Sequence, residues 1–251
     1  MDLELKGKNA VVTGGSKGIG RGIALALAEE GVNVSICARG EQALRSTESE
    51  IKNKGVNVYA QTCDIGDAES LDNYLEASKR QFGSVDILVN NVSALSIGDD
   101  FKDWEAGTNI DLLGSVRATR KVIPWMEASG HGNIIFISSI SGLEAGSPPA
   151  YAAVKAALIS YSKTLAVQLA SKGIRVNTIA PGSVEFEGGL WAQAKEHDPD
   201  FYNFALNSIP SGRLGTPEEI GNVAAFLVSP KASWVTGTCI PVDGGQHRSN
   251  L

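Results

Sequence analysis

Cysteine is scarce in this 251-residue chain. Cys37, Cys63 and Cys239 stand far apart, are odd in number and lack the spacing of metal ligands or of a disulfide framework. They read as buried thiols of a reducing compartment, and no metal site is expected. No apolar run reaches the roughly 20 residues that span a bilayer, so no membrane association is expected. A basic excess is missing too. The formal net charge of −6 argues against a general nucleic-acid binder or a protein held on an anionic membrane surface. No Pro/Gly/Ser-rich linker divides the chain, no repeat is visible, and Met1-Asp2-Leu3-Glu4 has no signal-peptide character. A cytoplasmic location is the expectation. Hydrophobic residues make up 43%, enough to bury a sizeable core.

What is present is alternation. Short apolar runs predict strands over 8–13, 32–38, 56–63, 85–90, 133–138, 174–179 and 238–242. Helical periodicity predicts helices over 21–30, 41–54, 68–82, 104–126, 151–171 and 217–227. Continuous apolar strands separated by helices imply a parallel sheet covered on both faces. Residues 1–251 are therefore expected to form one doubly wound α/β domain.

Glycine is plentiful, and its placement after the first strand matters most: Gly14-Gly15-Ser16-Lys17-Gly18-Ile19-Gly20. Glycines let the backbone turn tightly and approach a pyrophosphate, while the following helix offers free N–H groups and a positive dipole end. This loop predicts a dinucleotide site. A carboxylate closing the second strand would bond the ribose 2′-OH of NAD, whereas a cation suits a 2′-phosphate. Here the strand ends Ile36-Cys37-Ala38-Arg39, and Lys17 adds a second cation, so NADP(H) is favoured over NAD(H).

Tyr151 and Lys155 stand four residues apart, one above the other on a helix. An ammonium there favours the phenolate and suits the tyrosine to proton transfer at a substrate oxygen. With Thr13-Gly14-x-x-x-Gly18-Ile19-Gly20, Asn90-Asn91, Ser139, Asn177-x-x-Ala180-Pro181-Gly182, Arg213-x-Gly215-x-Pro217 and Val242-Asp243-Gly244-Gly245, the chain resembles the short-chain dehydrogenase/reductase family over essentially its whole length. It looks most like the 3-oxoacyl-carrier-protein reductase-like branch.

The resemblance implies a single-domain Rossmann fold, NAD(P)-dependent alcohol/carbonyl chemistry on a small molecule, and a homotetramer. It implies that Tyr151 is the acid in carbonyl reduction and the base in alcohol oxidation, with Lys155 holding the nicotinamide ribose. Ser139 is preferred as the serine that polarises the carbonyl, from the pattern Ser139-Ile140-Ser141-Gly142. Ser138 competes, because it stands at the commoner spacing from the tyrosine. Cofactor contacts are implied at Gly14, Ser16, Lys17, Gly18, Ile19, Gly20, Arg39, Asp64, Ile65, Asn90, Pro181, Gly182 and Val184, besides Tyr151 and Lys155.

Three departures from the family pattern stand out. Asn90-Asn91-Val92-Ser93 replaces Asn-Asn-Ala-Gly. The relay asparagine is sought at Asn109, but the register set by Trp104 and Gly114 puts Asp111 at that position, as a fourth catalytic candidate. Phe186 replaces the threonine that follows Pro181-Gly182.

Substrate is least legible. The aromatic-rich segment at about 185–210 (Phe186, Trp191, Phe201, Tyr202, Phe204) suits either a lid over an apolar substrate or a packed helical pair at a subunit interface. An acidic carrier protein would need cations at the mouth; Lys172 fits, whereas 127–130 carries Glu127 and no cation. A free or CoA-linked carbonyl or hydroxy compound is slightly favoured over acyl-carrier-protein reduction. A non-catalytic dinucleotide sensor is the alternative from another class.

Overall fold

Buried apolar segments of four to eight residues form the sheet. The computed structural model describes residues 2–250. In chain order it contains β1 (Asn9–Thr13), α1 (Gly18–Glu29), β2 (Asn33–Ala38), α2 (Glu41–Lys52), β3 (Val58–Thr62), α3 (Ala68–Phe82) and β4 (Ile87–Asn90). Then come α4 (Phe101–Ala106), a π-helical segment (Gly107–Leu113), α5 (Gly114–Ser129), β5 (Gly132–Ile137), α6 (Pro149–Leu169) and β6 (Ile174–Pro181). The chain finishes with α7 (Leu190–His197), α8 (Pro199–Ser208), α9 (Pro217–Val228) and β7 (Cys239–Val242).

All seven strands are parallel in the order β3-β2-β1-β4-β5-β6-β7. The chain winds outward from β1 to β3, then returns to lay β4 on the other side of β1. At such a reversal the flanking crossovers diverge and leave a crevice beyond the carboxyl ends of the strands. Side chains of β1 show why the strands lack polar alternation. Ala10 and Val12 enter one core with Ile23, Leu27, Ile36 and Ile220, while Val11 enters the opposite core with Leu75, Leu88 and Phe136. Both faces are covered, so both need apolar residues.

Boundaries follow local chemistry. Asp67 caps α3 by accepting the N–H groups of Glu69 (2.8 Å) and Ser70 (3.0 Å), and Gly83 stops it at φ +81°. Thr216 and Glu219 form a capping box at the start of α9. The single helix predicted over 104–126 is instead three pieces, with a π-helical turn between Gly107 and Leu113. Such a bulge admits an extra residue and re-aims the side chains around it; apolar periodicity does not announce it.

One helix pair fixes α1 in place. A Cβ added to Gly22 would lie 2.5 Å from the Pro217 carbonyl oxygen, and one added to Gly221 would lie 2.6 Å from that of Gly22. The backbones of α1 and α9 touch, with no room for side chains. We expect Gly22→Val to cost about 2 kcal/mol by overpacking and to lower Tm by about 4–8 °C. Calorimetry checks this; an unchanged Tm contradicts the close contact.

Candidate active site

The cleft begins where β1 and β4 end. Thr13 Oγ1 donates to the Val89 carbonyl (3.2 Å) and accepts the Asn91 N–H (3.0 Å), while Asn91 Nδ2 donates to the carbonyls of Thr13 (3.0 Å) and Gly14 (3.2 Å). Asn91 thus ties the glycine loop to β4, a role the sequence reading left unassigned although the Asn90-Asn91 pair marked the place. Asn90 turns its amide the other way, donating to Thr119 Oγ1 on α5 (3.0 Å).

Gly14 adopts φ +68° and Gly18 φ +51°, conformations that favour glycine. A Cβ on Gly20 would meet the Gly14 carbonyl oxygen at 2.2 Å, so the loop closes tightly over the first turn of α1. That turn has no side-chain cap and no acidic residue. Its N–H groups and positive dipole end remain available to an anion. The adjoining cleft, about 910 Å³, is lined by Gly14, Ser16, Lys17, Arg39, Asp64 and Ile65. Lys17 and Arg39 are exposed at its edge, and among the described residues neither side chain has a hydrogen-bond or ion-pair partner. Asp64 accepts the Gly66 N–H (2.9 Å) from within the lining. Glycine loop, uncapped helix end and unpaired cations together fit the phosphates of a nicotinamide dinucleotide.

A charged core lies behind the cleft. Lys155, one turn along α6 from Tyr151, places Nζ 3.2 Å from Asp111 Oδ2 and donates to the Ile137 carbonyl at 3.2 Å. Both side chains are 2% exposed. Nζ lies 5.4 Å from the centroid of the Tyr151 ring. Asp111 Oδ1 accepts the Ala94 N–H at 2.7 Å, so the carboxylate also holds the loop after β4. Asn109 faces elsewhere, donating to the Gly66 carbonyl and accepting from Arg117, each at 3.1 Å. Aspartate 111, not asparagine 109, meets the lysine, and the π-helical turn carries it there.

The two serines separate by their bonds. Ser138 Oγ donates to the Lys155 carbonyl (2.8 Å) and is committed to α6. Ser139 Oγ accepts the Ser141 N–H (3.1 Å), which leaves its own O–H for another partner.

Across the cleft, Pro181 ends β6, Gly182 donates to the Val242 carbonyl (3.1 Å), and Val184 is buried on a bridge to Gly215. Phe186 lies against the first turn of α1: a Cβ on Gly18 would come 2.5 Å from its ring. Ile19, in that same turn, packs against the core beneath. An apolar ring therefore stands where the family pattern has a hydroxyl. Residues 185–210 form the helical pair α7–α8. Trp191 stacks on Phe201 at 5.0 Å, and Glu185 accepts the Tyr202 hydroxyl (2.8 Å) and pairs with Lys195 (3.0 Å). Lys195 first, then Tyr202, holds the Glu185 carboxyl below the usual range.

One expectation fails. Lys172 precedes β6 and pairs with Glu127 at the amino ends of the strands. The eight-residue β6 separates it from the cleft by about 23 Å at ~3.3 Å per residue. Its pattern of residue types suited an acidic partner, but the topology puts it at the wrong end of the sheet.

A family model described as enoyl-(acyl carrier protein) reductase matches residues 14–247. The chain is 35% identical to isoepoxydon dehydrogenase patN of Penicillium expansum, over 97% of this chain and 96% of that protein. It is 37% identical to 3-oxoacyl-[acyl-carrier-protein] reductase FabG of Staphylococcus aureus, over 96% and 98%. A solved 7α-hydroxysteroid dehydrogenase complexed with NADH and 7-oxo glycochenodeoxycholic acid superposes with TM-score 0.91 at 32% identity, covering 100% of this chain and 98% of that one. NAD⁺-bound xylitol dehydrogenase gives TM-score 0.89 at 30% identity, covering 96% and 100%.

Removing one member of a buried ion pair strands the other charge. Asp111→Ala should therefore destabilise the fold by about 3 kcal/mol, and Asp111→Asn by less, because its single amide oxygen can keep one of the two contacts, with the Ala94 N–H or with Lys155 Nζ. Urea unfolding reads both; equal midpoints for wild type and Asp111→Ala count against the pair.

Proposed function

Since the chain belongs to the short-chain dehydrogenase/reductase family and is an oxidoreductase of alcohol and carbonyl groups, we propose that it is NADP(H)-dependent and that Tyr151 is its acid/base. The observation that carries this reading is the buried Lys155 ammonium beneath the Tyr151 ring, neutralised by Asp111.

Gly14, Ser16, Lys17, Gly18, Ile19, Gly20, Arg39, Asp64, Ile65, Pro181, Gly182 and Val184 would hold the dinucleotide, which supplies or accepts a hydride at the substrate carbon. In reduction, the Tyr151 hydroxyl donates its proton to the carbonyl oxygen as that oxygen gains charge, and the product is a secondary alcohol; oxidation reverses the transfer. Lys155 stabilises the phenolate that remains. The Ser139 O–H donates a hydrogen bond to the same oxygen, polarising it. Asp111 pairs with Lys155 and fixes its position. Lys17 and Arg39, whose side chains have no partner among the described residues, support a 2′-phosphate over a bare ribose.

For substrate, we favour a small free carbonyl or hydroxy compound. The similarity to isoepoxydon dehydrogenase supports it, and with Lys172 at the far end of the sheet no cation singled out for a carrier protein remains at the mouth. The similarity to carrier-protein reductases keeps 3-oxoacyl thioester reduction as the second reading; acetoacetyl-CoA and acetoacetyl-carrier protein, tested beside a ketone panel, separate the two. Self-association as a homotetramer is supported by apolar side chains left in water, Val167 at 74% and Trp234 at 98% exposure. Free thiols at Cys37, Cys63 and Cys239 suit a reducing, cytoplasmic setting.

Tyr151→Phe should lower kcat by about 10³ or more and Ser139→Ala by about 10², with NADPH affinity little changed; Ser138→Ala should spare most turnover. Retained activity in Tyr151→Phe overturns the mechanism. Replacing Lys17 and Arg39 by alanine should weaken NADPH binding by about 10–100-fold and leave NADH nearly unaffected, read by fluorescence titration. Equal losses for both cofactors contradict the 2′-phosphate role.

A further inference from the structure

After β7 the chain folds back. Gly244 and Gly245 turn at φ +62° and +83°, and the Asp243 carboxylate accepts the N–H groups of Gly245 (3.0 Å) and His247 (2.9 Å). A Cβ on Gly244 would lie 2.2 Å from Ser211 Oγ, so the turn is pressed against the segment that follows α8.

This turn aims Gln246 at two segments of the cleft. Its Oε1 accepts the Ser183 N–H at 2.8 Å. Its Nε2 donates to Ser183 Oγ and to Ser208 Oγ, each at 3.0 Å. Ser208 spends its own proton on the Ala205 carbonyl (2.7 Å), so a lone pair is what it offers. The amide is matched atom for atom, and a carboxylate could supply neither donor. Two residues on, the Arg248 N–H donates to Glu144 Oε2 at 2.7 Å, in the loop between Ser139 and Tyr151. Ser183 follows Pro181-Gly182, and Ser208 closes α8. The tail therefore joins the cofactor-facing turn, the end of the lid and the serine loop.

We propose that Gln246 is a positioning residue that latches the lid, holding the end of α8 against the turn after β6 so that lid and cofactor-facing wall stay in one arrangement. This rests on the reading of residues 185–210 as the lid of the oxidoreductase site. None of the steps of proton transfer uses Gln246; its effect is on how long the lid stays closed over a substrate.

Limited trypsin digestion after Lys195, exposed on α7, reads lid opening without any substrate. Gln246→Ala should speed that cleavage about tenfold by removing hydrogen bonds that oppose local opening, with Tm nearly unchanged. Ser208→Ala should act in the same direction but less. Gln246→Glu should fall between wild type and Gln246→Ala. The double variant should cleave no faster than Gln246→Ala, because both changes break one link. With a ketone turned over by wild type, Gln246→Ala should raise the ketone KM about tenfold more than it lowers kcat, and NADPH affinity should hold within about twofold. Wild-type cleavage rates in both single variants, additive acceleration in the double, or acceleration that tracks a falling Tm overturns the latch. If wild type reduces no carbonyl, the reaction assignment fails, while the proteolysis still decides the latch.

Discussion

The ion pair between Asp111 and Lys155 is the constraint on which the site is built. Two charges with almost no exposure are costly to remove from water, and they persist only when each finds every partner it needs. Here the ammonium also has the Ile137 carbonyl and the carboxylate has the Ala94 N–H. The pair thereby gathers the end of β5, the loop after β4, the π-helical turn and α6 around one point. Tyr151 stands on that same helix, so its ring inherits a position set by electrostatics beneath it. An asparagine could accept from only one of the two donors, the Ala94 N–H or the Lys155 ammonium, and would bring no charge. With the aspartate in place, the lysine's position becomes part of how the fold holds together.

At the other end of the cleft the design is the reverse. The first turn of α1 leaves its N–H groups without a side-chain cap, and the Lys17 and Arg39 side chains stand in solvent without partners among the described residues. Positive potential is held open there instead of being neutralised, which suits a polyanionic ligand that arrives and leaves. Phe186 sets an apolar ring against the glycine turn there.

Much of this was legible in the residues themselves. The strands announced a sheet buried on both sides because continuous apolar runs leave no other option, and glycines after β1 fixed the cleft's location. Asp111 was found by register, since Trp104 and Gly114 bracket it, although nothing in the apolar pattern disclosed the π-helical turn that delivers it. Other features were out of reach. Lys172 had the right charge, but its place below β6 depends on strand direction and length. Asn90 and Asn91 look alike in sequence, and only the direction in which each amide faces separates cleft from helix packing. Gln246 gave no signal because its partners, Ser183 and Ser208, lie far from it along the chain.

The contact between Gly22 and Gly221 also bears on how the molecule is made. These positions lie 199 residues apart in sequence, yet their helices touch backbone to backbone. In chain order α1 precedes α9 by most of the sheet, and the side of α1 that meets α9 stays uncovered until α9 follows. Closing so long a loop is slow, and exposed surface in the meantime favours aggregation. The first turn of α1 thus reaches its final setting only after α9 has docked against it.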